Sequence, residues 1–148
     1  MNKEWSELNK LTKRQNELYH RCAVNAGLTD AKFWILYALC ESGGTLCQNT
    51  ICEDWCYSKQ TVGTAVSCLQ CEGILRMEFA EGSRKQKNLY LTLKGEAFCD
   101  RYIRPVLNAE CRAVSQLPQN QRRIFLDSQK QIIEALESEL LPVGKADG

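Results

Sequence analysis

The sequence has very little of what enzymes and membrane proteins require. It contains one histidine, His20, in 148 residues, and it has no glycine-rich phosphate loop and no paired nucleophile and base. No apolar run approaches the roughly 18 residues of a membrane span. The polar N-terminal segment also lacks the apolar stretch of a signal peptide. We therefore expect a cytoplasmic, non-enzymatic protein without a cofactor, and the chain length favours one domain.

Cysteine is the residue type in excess. The count of nine is odd, and the protein is not expected to be secreted, so a disulfide framework is not predicted. Four cysteines fall on apolar helical faces and are interpreted as small core residues, namely Cys22, Cys40, Cys99 and Cys111. A redox-sensing cysteine needs a lowered pKa and access to solvent. Cys22, on the chain's first helical segment, is the candidate for that role.

A metal site is the other reading of the cysteines. Cys68 and Cys71 have a metal-like spacing, but a helical i, i+3 pair supplies at most two ligands. Cys52 and Cys56, at i and i+4 on the preceding helix, could form a composite site with Cys68 or Cys71. We predict that no metal is stably bound.

Net charge is only +1, but the charges are unevenly distributed. The segment from Ser58 to Lys94 has six basic and three acidic residues. The segment from Gly27 to Tyr57 has one basic and four acidic residues. The positive charge therefore gathers in one quarter of the chain, where it favours an anionic partner such as a phosphate backbone.

Apolar periodicity predicts helices on both sides of this basic segment. The first covers residues 3–26, and Thr29 caps a densely apolar second helix from Asp30 to Glu41. After the basic segment, Thr92 caps a long helix over 94–117 that Pro105 should kink. A final helix covers 119–141, and the tail from Pro142 to Gly148 is expected to be disordered.

Residues 45–93 have the order of parts of a winged helix-turn-helix. A short helix (Gln48–Trp55) is followed by a turn at Cys56-Tyr57, and Ser58 opens a second helix that ends at Gly73. A strand (Ile74–Phe79), a basic loop (Ala80–Asn88) and a second strand (Leu89–Leu93) complete the segment. A helix of this kind can lie in the DNA major groove while the hairpin contacts the neighbouring backbone.

The second helix of this segment is predicted to have two distinct faces. Val62, Val66 and Leu69 repeat at i, i+4 and i+7 and should face the core. The other face and the hairpin tip carry polar and basic side chains, with a glycine that allows close approach. The predicted DNA-contacting residues are Ser58, Lys59, Gln60, Thr61, Gly63, Thr64, Ser67, Arg84, Lys85 and Lys87.

The segment SKQTVGTAVSCLQCEGIL, the basic wing and LYLTLKGEAF after it resemble the MarR family of bacterial transcription regulators. The resemblance covers residues 5–140. It implies a mainly α fold with a small β-wing, in which a winged core (29–93) and a linker helix (94–117) are flanked by dimerisation helices at 3–26 and 119–141. It also implies a homodimer on a pseudo-palindromic operator in double-stranded DNA, usually as a repressor. The wing of the family often carries Asp-x-Arg, whereas this sequence has Ser83 in the Asp position.

The resemblance further implies release from DNA when a phenolic or lipophilic ligand binds or when a cysteine is oxidised. Five aromatic residues are candidates to line such a ligand pocket: Trp5, Tyr19, Phe33, Tyr37 and Tyr102. Two alternatives stay open, namely a thiol-based redox regulator of the same fold and a winged-helix protein-interaction module that does not bind DNA. The apolar terminal helices are expected to pair with a second subunit, although they could instead fold back on their own core.

Overall fold

A computed structural model describes residues 2–143 as a mainly helical protein with one small sheet, as the sequence predicts. The elements in chain order are α1 (Lys3–Asn25), α2 (Asp30–Glu41), β1 (Thr45–Cys47), α3 (Gln48–Trp55), α4 (Lys59–Cys71), β2 (Leu75–Phe79), β3 (Lys87–Leu91), α5 (Leu93–Tyr102), α6 (Arg104–Val114) and α7 (Gln119–Val143). In this part of the chain, none of the helices is both long enough and apolar enough to cross a membrane.

The sheet has three antiparallel strands in the order β1-β3-β2, one strand more than the sequence predicts. The missed strand, β1, is only three residues long and pairs Leu46 with Leu89. The hairpin also begins earlier than predicted, because Phe79 pairs with Lys87 and the ladder starts there instead of at Leu89. The strand ends at Leu91 because Thr92 already caps α5. The wing loop is therefore shorter and better anchored than expected.

Helix α2 lies at the centre of the core, as its apolar composition predicts. Phe33, Ile35, Leu36 and Leu39 are fully buried. The buried cluster continues through side chains of α3, α4 and the sheet. Because α4 packs on this core, the orientation of its outer face is fixed.

The predicted long helix over 94–117 is two helices, separated at Ile103. Pro105 has no N–H to donate to the preceding turn, so a continuous helix would lose a hydrogen bond there. The break instead puts Pro105 at the second position of α6, where no intrahelical donor is needed. The proline therefore interrupts the helix two residues before its own position, and does not kink a continuous helix as predicted.

The chain divides into two compact units, Met1–Leu107 and Asn108–Gly148. The first contains the sheet and helices α1 to α5. In the second, no residue of the described part of α7 is buried, and Cys111, which we predicted to be a core residue, is exposed. Pro142 and Val143 belong to α7 and not to a disordered tail. The rest of that predicted tail, 144–148, lies outside the described residues.

Candidate nucleic-acid interface

The turn between α3 and α4 fixes where α4 begins. Cys56 adopts a left-handed conformation with φ of 53°, which is uncommon for a residue with a side chain. Ser58 then caps α4, and its hydroxyl accepts a hydrogen bond from the Thr61 amide at 3.1 Å. The predicted cap is confirmed, and it sets the first turn of α4 at the surface.

The two faces of α4 are those that the sequence predicts. Val62 and Leu69 are fully buried and Val66 is 2% exposed. The polar residues on the opposite side are exposed, except for Gly63, which is half-buried: Lys59, Gln60, Thr61, Thr64 and Ser67. Helix α4 therefore presents amide, hydroxyl and ammonium groups to whatever binds this surface.

Gly63 has no role in packing that requires a glycine. A Cβ atom built on it finds no heavy atom within 4 Å, and its φ is not in the left-handed region. A glycine inside a helix is about 1 kcal/mol less favourable than alanine. Gly63 therefore lowers the stability of the helix relative to alanine, and no packing contact within the described residues requires a glycine there. This is consistent with close approach by an external partner.

The wing loop between β2 and β3 is ordered by Ser83. Its hydroxyl accepts hydrogen bonds from the amides of Lys85 at 3.2 Å and Gln86 at 2.9 Å. Ala80 closes the loop by donating its amide to the Gln86 carbonyl at 2.7 Å. Ser83 can therefore act as the hydrogen-bond acceptor that forms this turn, at the position where the MarR family often has Asp.

The wing and α4 enclose a basic cleft with a volume of about 440 Å³. Its lining contains three lysines and residues of α3 and α4: Gln48, Asn49, Cys52, Lys59, Gly63, Lys85 and Lys87. Arg84 is exposed next to it on the wing. Within residues 2–143, the ion pairs involve none of these four cations. Their charges are available to an external anion.

Sequence reasoning missed Gln48 and Asn49 as members of this cleft. They are adjacent to Lys85 and Lys87 because β1 brings the start of α3 to the wing, and β1 was not predicted. The α3 N-cap, Cys47, makes no side-chain capping bond. The first amides of α3 therefore receive no hydrogen bond from that side chain.

A second groove, of about 520 Å³, lies on another side of α4. It is formed by the start of α2 and by α4: Thr29, Ala31, Lys32, Gln60, Thr61, Thr64, Ala65 and Cys68. Thr29 was predicted only as a helix cap, which it is. Lys32 is held by an ion pair with Glu72 at 2.9 Å. The polar side chains of α4 thus lie between two grooves.

The candidate aromatic pocket residues separate into two places. Tyr19, Phe33 and Tyr37 join Trp34 and Trp55 in one ring cluster. Phe33 is fully buried and Tyr37 is 8% exposed, so both belong to the core. Tyr102 pairs with Phe98 at 4.9 Å on α5. Within the described residues, neither Tyr102 nor Trp5 is in ring contact with that cluster.

Of the four cysteines predicted to be core residues, three lie in or against the core, and the fourth, Cys111, is exposed. Cys99 is fully buried and Cys22 and Cys40 are half-buried, whereas Cys56, Cys68 and Cys71 are exposed. Across residues 2–143, no three potential metal ligands come together.

No protein-family model and no curated protein matches the chain, but its structure is similar to solved ones. The capped helix α4 with its polar outer face and the three-stranded sheet are the parts of a winged helix-turn-helix protein. NMB1585, a MarR family regulator from Neisseria meningitidis, is 23% identical with a TM-score of 0.76, over 94% of this chain and 99% of that one. The chain has the fold of the MarR family of transcriptional regulators, as the resemblance implies.

Two further structures of this fold were solved with bound partners. A MarR family regulator from Listeria monocytogenes complexed with a 26mer DNA is 18% identical, with a TM-score of 0.72, over 100% of this chain and 98% of that one. The PcaV regulator from Streptomyces coelicolor, in complex with its natural ligand, is 21% identical with a TM-score of 0.63, over 89% and 93%.

Proposed function

We propose that this protein is a sequence-specific DNA-binding transcriptional regulator. It acts as a homodimeric repressor that a small phenolic or lipophilic molecule releases from a pseudo-palindromic operator. Such a regulator works in the cytoplasm, where the DNA is, and performs no catalysis. The single observation that carries the proposal is the basic cleft between the wing and the polar face of α4.

The chemistry of this surface matches that of duplex DNA. Lys59, Lys85 and Lys87 line the cleft. Their positive charges can neutralise DNA phosphates. Gln60 and Thr64, exposed on the same helix, offer donors and acceptors that can read base edges in the major groove. Helix α4 therefore serves as the recognition helix, and the wing anchors the neighbouring backbone.

Exposed apolar side chains on the terminal helices support the dimer. On α7, the consecutive residues Ile124, Phe125 and Leu126 are 65%, 64% and 52% exposed. On α1, Leu18 is 62% exposed. Single chains rarely leave so many large apolar groups in water, so a second subunit is the natural cover. A two-fold dimer would place two recognition helices about 34 Å apart, in successive major grooves.

Release by an effector follows from this spacing requirement. A ligand that binds better to a dimer with a different spacing lowers operator affinity, with a coupling of typically 1–3 kcal/mol. PcaV was solved with its natural ligand, which supports the same type of control here. Of the candidate pocket residues, Trp5, Tyr19 and Tyr102 are half-buried and can contact a ligand without unpacking the core.

Selection of bound fragments from random duplex DNA tests the proposal. We expect enrichment of a two-fold symmetric sequence with half-sites one helical turn apart, protected over both halves in a footprint. Recovery of no common sequence at low salt would contradict sequence-specific binding. A protein-interaction module without DNA binding would also give no enrichment. The basic surface around Lys59 and Arg84 favours DNA over that alternative.

A further inference from the structure

Helix α7 has an apolar face that its own chain leaves uncovered. No residue of α6 or of the described part of α7 is buried. The half-buried side chains of this part of α7 repeat every seven residues, and exposed apolar side chains lie beside them. Two helices pair along positions whose spacing alternates between three and four residues. Six positions on this face have that spacing, and we call them the pairing stripe: Arg122, Phe125, Gln129, Ile132, Leu136 and Glu139.

The charged residues of α7 are sorted around the helix. By the helical repeat, all of them except two fall on the side away from the pairing stripe: Arg123, Asp127, Lys130, Glu134 and Glu137. The exceptions are Arg122 at the start of the stripe and Glu139 near its end. A helix face that is otherwise suited to packing therefore has one positive charge and one negative charge, at opposite ends.

These two charges cannot neutralise each other within one chain. At 1.5 Å per residue, positions 122 and 139 are about 25 Å apart along the helix. The Nε atom of Arg122 is buried and has no hydrogen-bond partner within residues 2–143. The ion pairs of the same residues do not include Glu139. Because a buried donor without an acceptor is unfavourable, the guanidinium of Arg122 calls for an acceptor from outside the chain.

We propose that the α7 helices of two copies pair antiparallel through the pairing stripe, with Arg122 of each copy against Glu139 of the partner subunit. The proposal rests on the homodimer proposed above and gives it an orientation and a register. A two-fold axis between positions 130 and 131 creates both ion pairs at once. The remaining layers then match Phe125 with the partner's Leu136 and Gln129 with the partner's Ile132.

The same two charges disfavour the other arrangements. Parallel helices in register would put Arg122 against Arg122 of the partner subunit and Glu139 against Glu139 of the partner subunit, which are two like-charge contacts. An antiparallel register moved by one heptad would put Arg122 against the partner's Ile132, or Glu139 against the partner's Gln129. Charged and polar groups within an apolar helix interface select partner orientation and register in this way.

Charge reversal tests the orientation in the full-length protein. Arg122→Glu creates two like-charge contacts per antiparallel dimer, so sedimentation over a concentration series should show a dimer dissociation constant raised by about tenfold or more. Glu139→Arg should do the same. The double variant restores opposite charges at both contacts and should return to the parent value. Arg123→Glu and Glu137→Arg are the matched controls on the outer side, and each should change the dissociation constant by less than about threefold.

A zero-length cross-link tests the contact itself. Arg122→Lys supplies an amine, and a water-soluble carbodiimide activates carboxylates; the amine displaces the activating group as a urea and forms an amide. We expect a covalent dimer whose peptide map contains an amide between position 122 and Glu139 of the partner subunit. Arg123→Lys, one position along the helix, is the control and should give no such amide.

The outcomes separate this proposal from the homodimer on which it rests. A dimeric parent protein that responds equally to Arg122→Glu and Arg123→Glu would overturn the antiparallel pairing and leave the homodimer intact. Failure of the double variant to recover, or absence of the amide to Glu139, would also overturn the pairing. A parent protein that stays monomeric would overturn both. Because none of these measurements contains DNA, they are independent of the proposed operator binding.

Discussion

Replacing Gly63 by alanine should stabilise the fold and weaken DNA binding at the same time. The new Cβ would meet no heavy atom within 4 Å, so the substitution introduces no clash within the described structure. Alanine in a helix is more favourable than glycine by about 0.5–1 kcal/mol. For a chain of this size, each kcal/mol of added stability raises the Tm by about 2–4 °C.

The loss of affinity comes from the position of Gly63. It lines the cleft with Lys59, Lys85 and Lys87, so the added methyl group occupies space that the proposed DNA needs. Crowding by one methyl group in a close-packed contact costs typically 1–3 kcal/mol. A loss of 1.4 kcal/mol is already tenfold in Kd.

Urea unfolding and fluorescence anisotropy with a selected operator measure the two effects separately. Gly95→Ala is the contrasting control, because a Cβ at Gly95 would overlap the carbonyl oxygen of Ile74 and should destabilise the fold. If Gly63→Ala raised the urea midpoint but left operator affinity unchanged, Gly63 would not lie against DNA. If Gly63→Ala lowered the urea midpoint, the conclusion that a Cβ at Gly63 meets open space would be wrong.

Three further predictions concern assembly, pH and specificity. Sedimentation at micromolar concentration should give a particle of twice 16.9 kDa, and a persistent monomer would contradict the dimer. The hydrogen bond to Asp30 raises the pKa of His20 above 6.5, so its stabilisation is complete below pH 6.5 and is lost as pH rises through the raised pKa. An NMR titration of this single histidine should show that midpoint, and Asp30→Asn should return it towards 6.5; the same midpoint in both proteins would refute the assignment. Gln60→Ala or Thr64→Ala should change which sequences are selected, and an unchanged preference would remove that residue from base contact.

Much of the winged segment could be predicted because its signals are local. Ser58 caps α4 through a side chain three residues from its partner. The 3.6-residue repeat of Val62, Val66 and Leu69 assigns the buried face without knowledge of the rest of the fold. The exposed face of α4 follows from the same pattern.

What could not be predicted depends on contacts between distant segments. Strand β1 is three residues long and exists because Leu46 pairs with Leu89. Gln48 and Asn49 reach the wing only through that pairing, so their place in the cleft had no local signal.

The position of Pro105 was interpreted correctly as a disruption but not as a break. A proline shows that one hydrogen bond is lost, whereas the tertiary structure decides whether the helix bends or restarts. Here it restarts at Arg104.

The salt dependence of operator binding tests most directly whether the wing anchors DNA. Each phosphate contact contributes about 0.9 to the slope of log K against log salt, and a dimer loses two contacts per substitution. Lys85→Ala, which removes a cation from the cleft, should weaken binding to all sequences alike and reduce the slope by about 1.8. Lys13→Ala, at an exposed position on α1, is the charge-matched control and should leave the slope unchanged. Equal slopes for the parent protein and Lys85→Ala would contradict the proposal that the wing of this protein binds the DNA backbone.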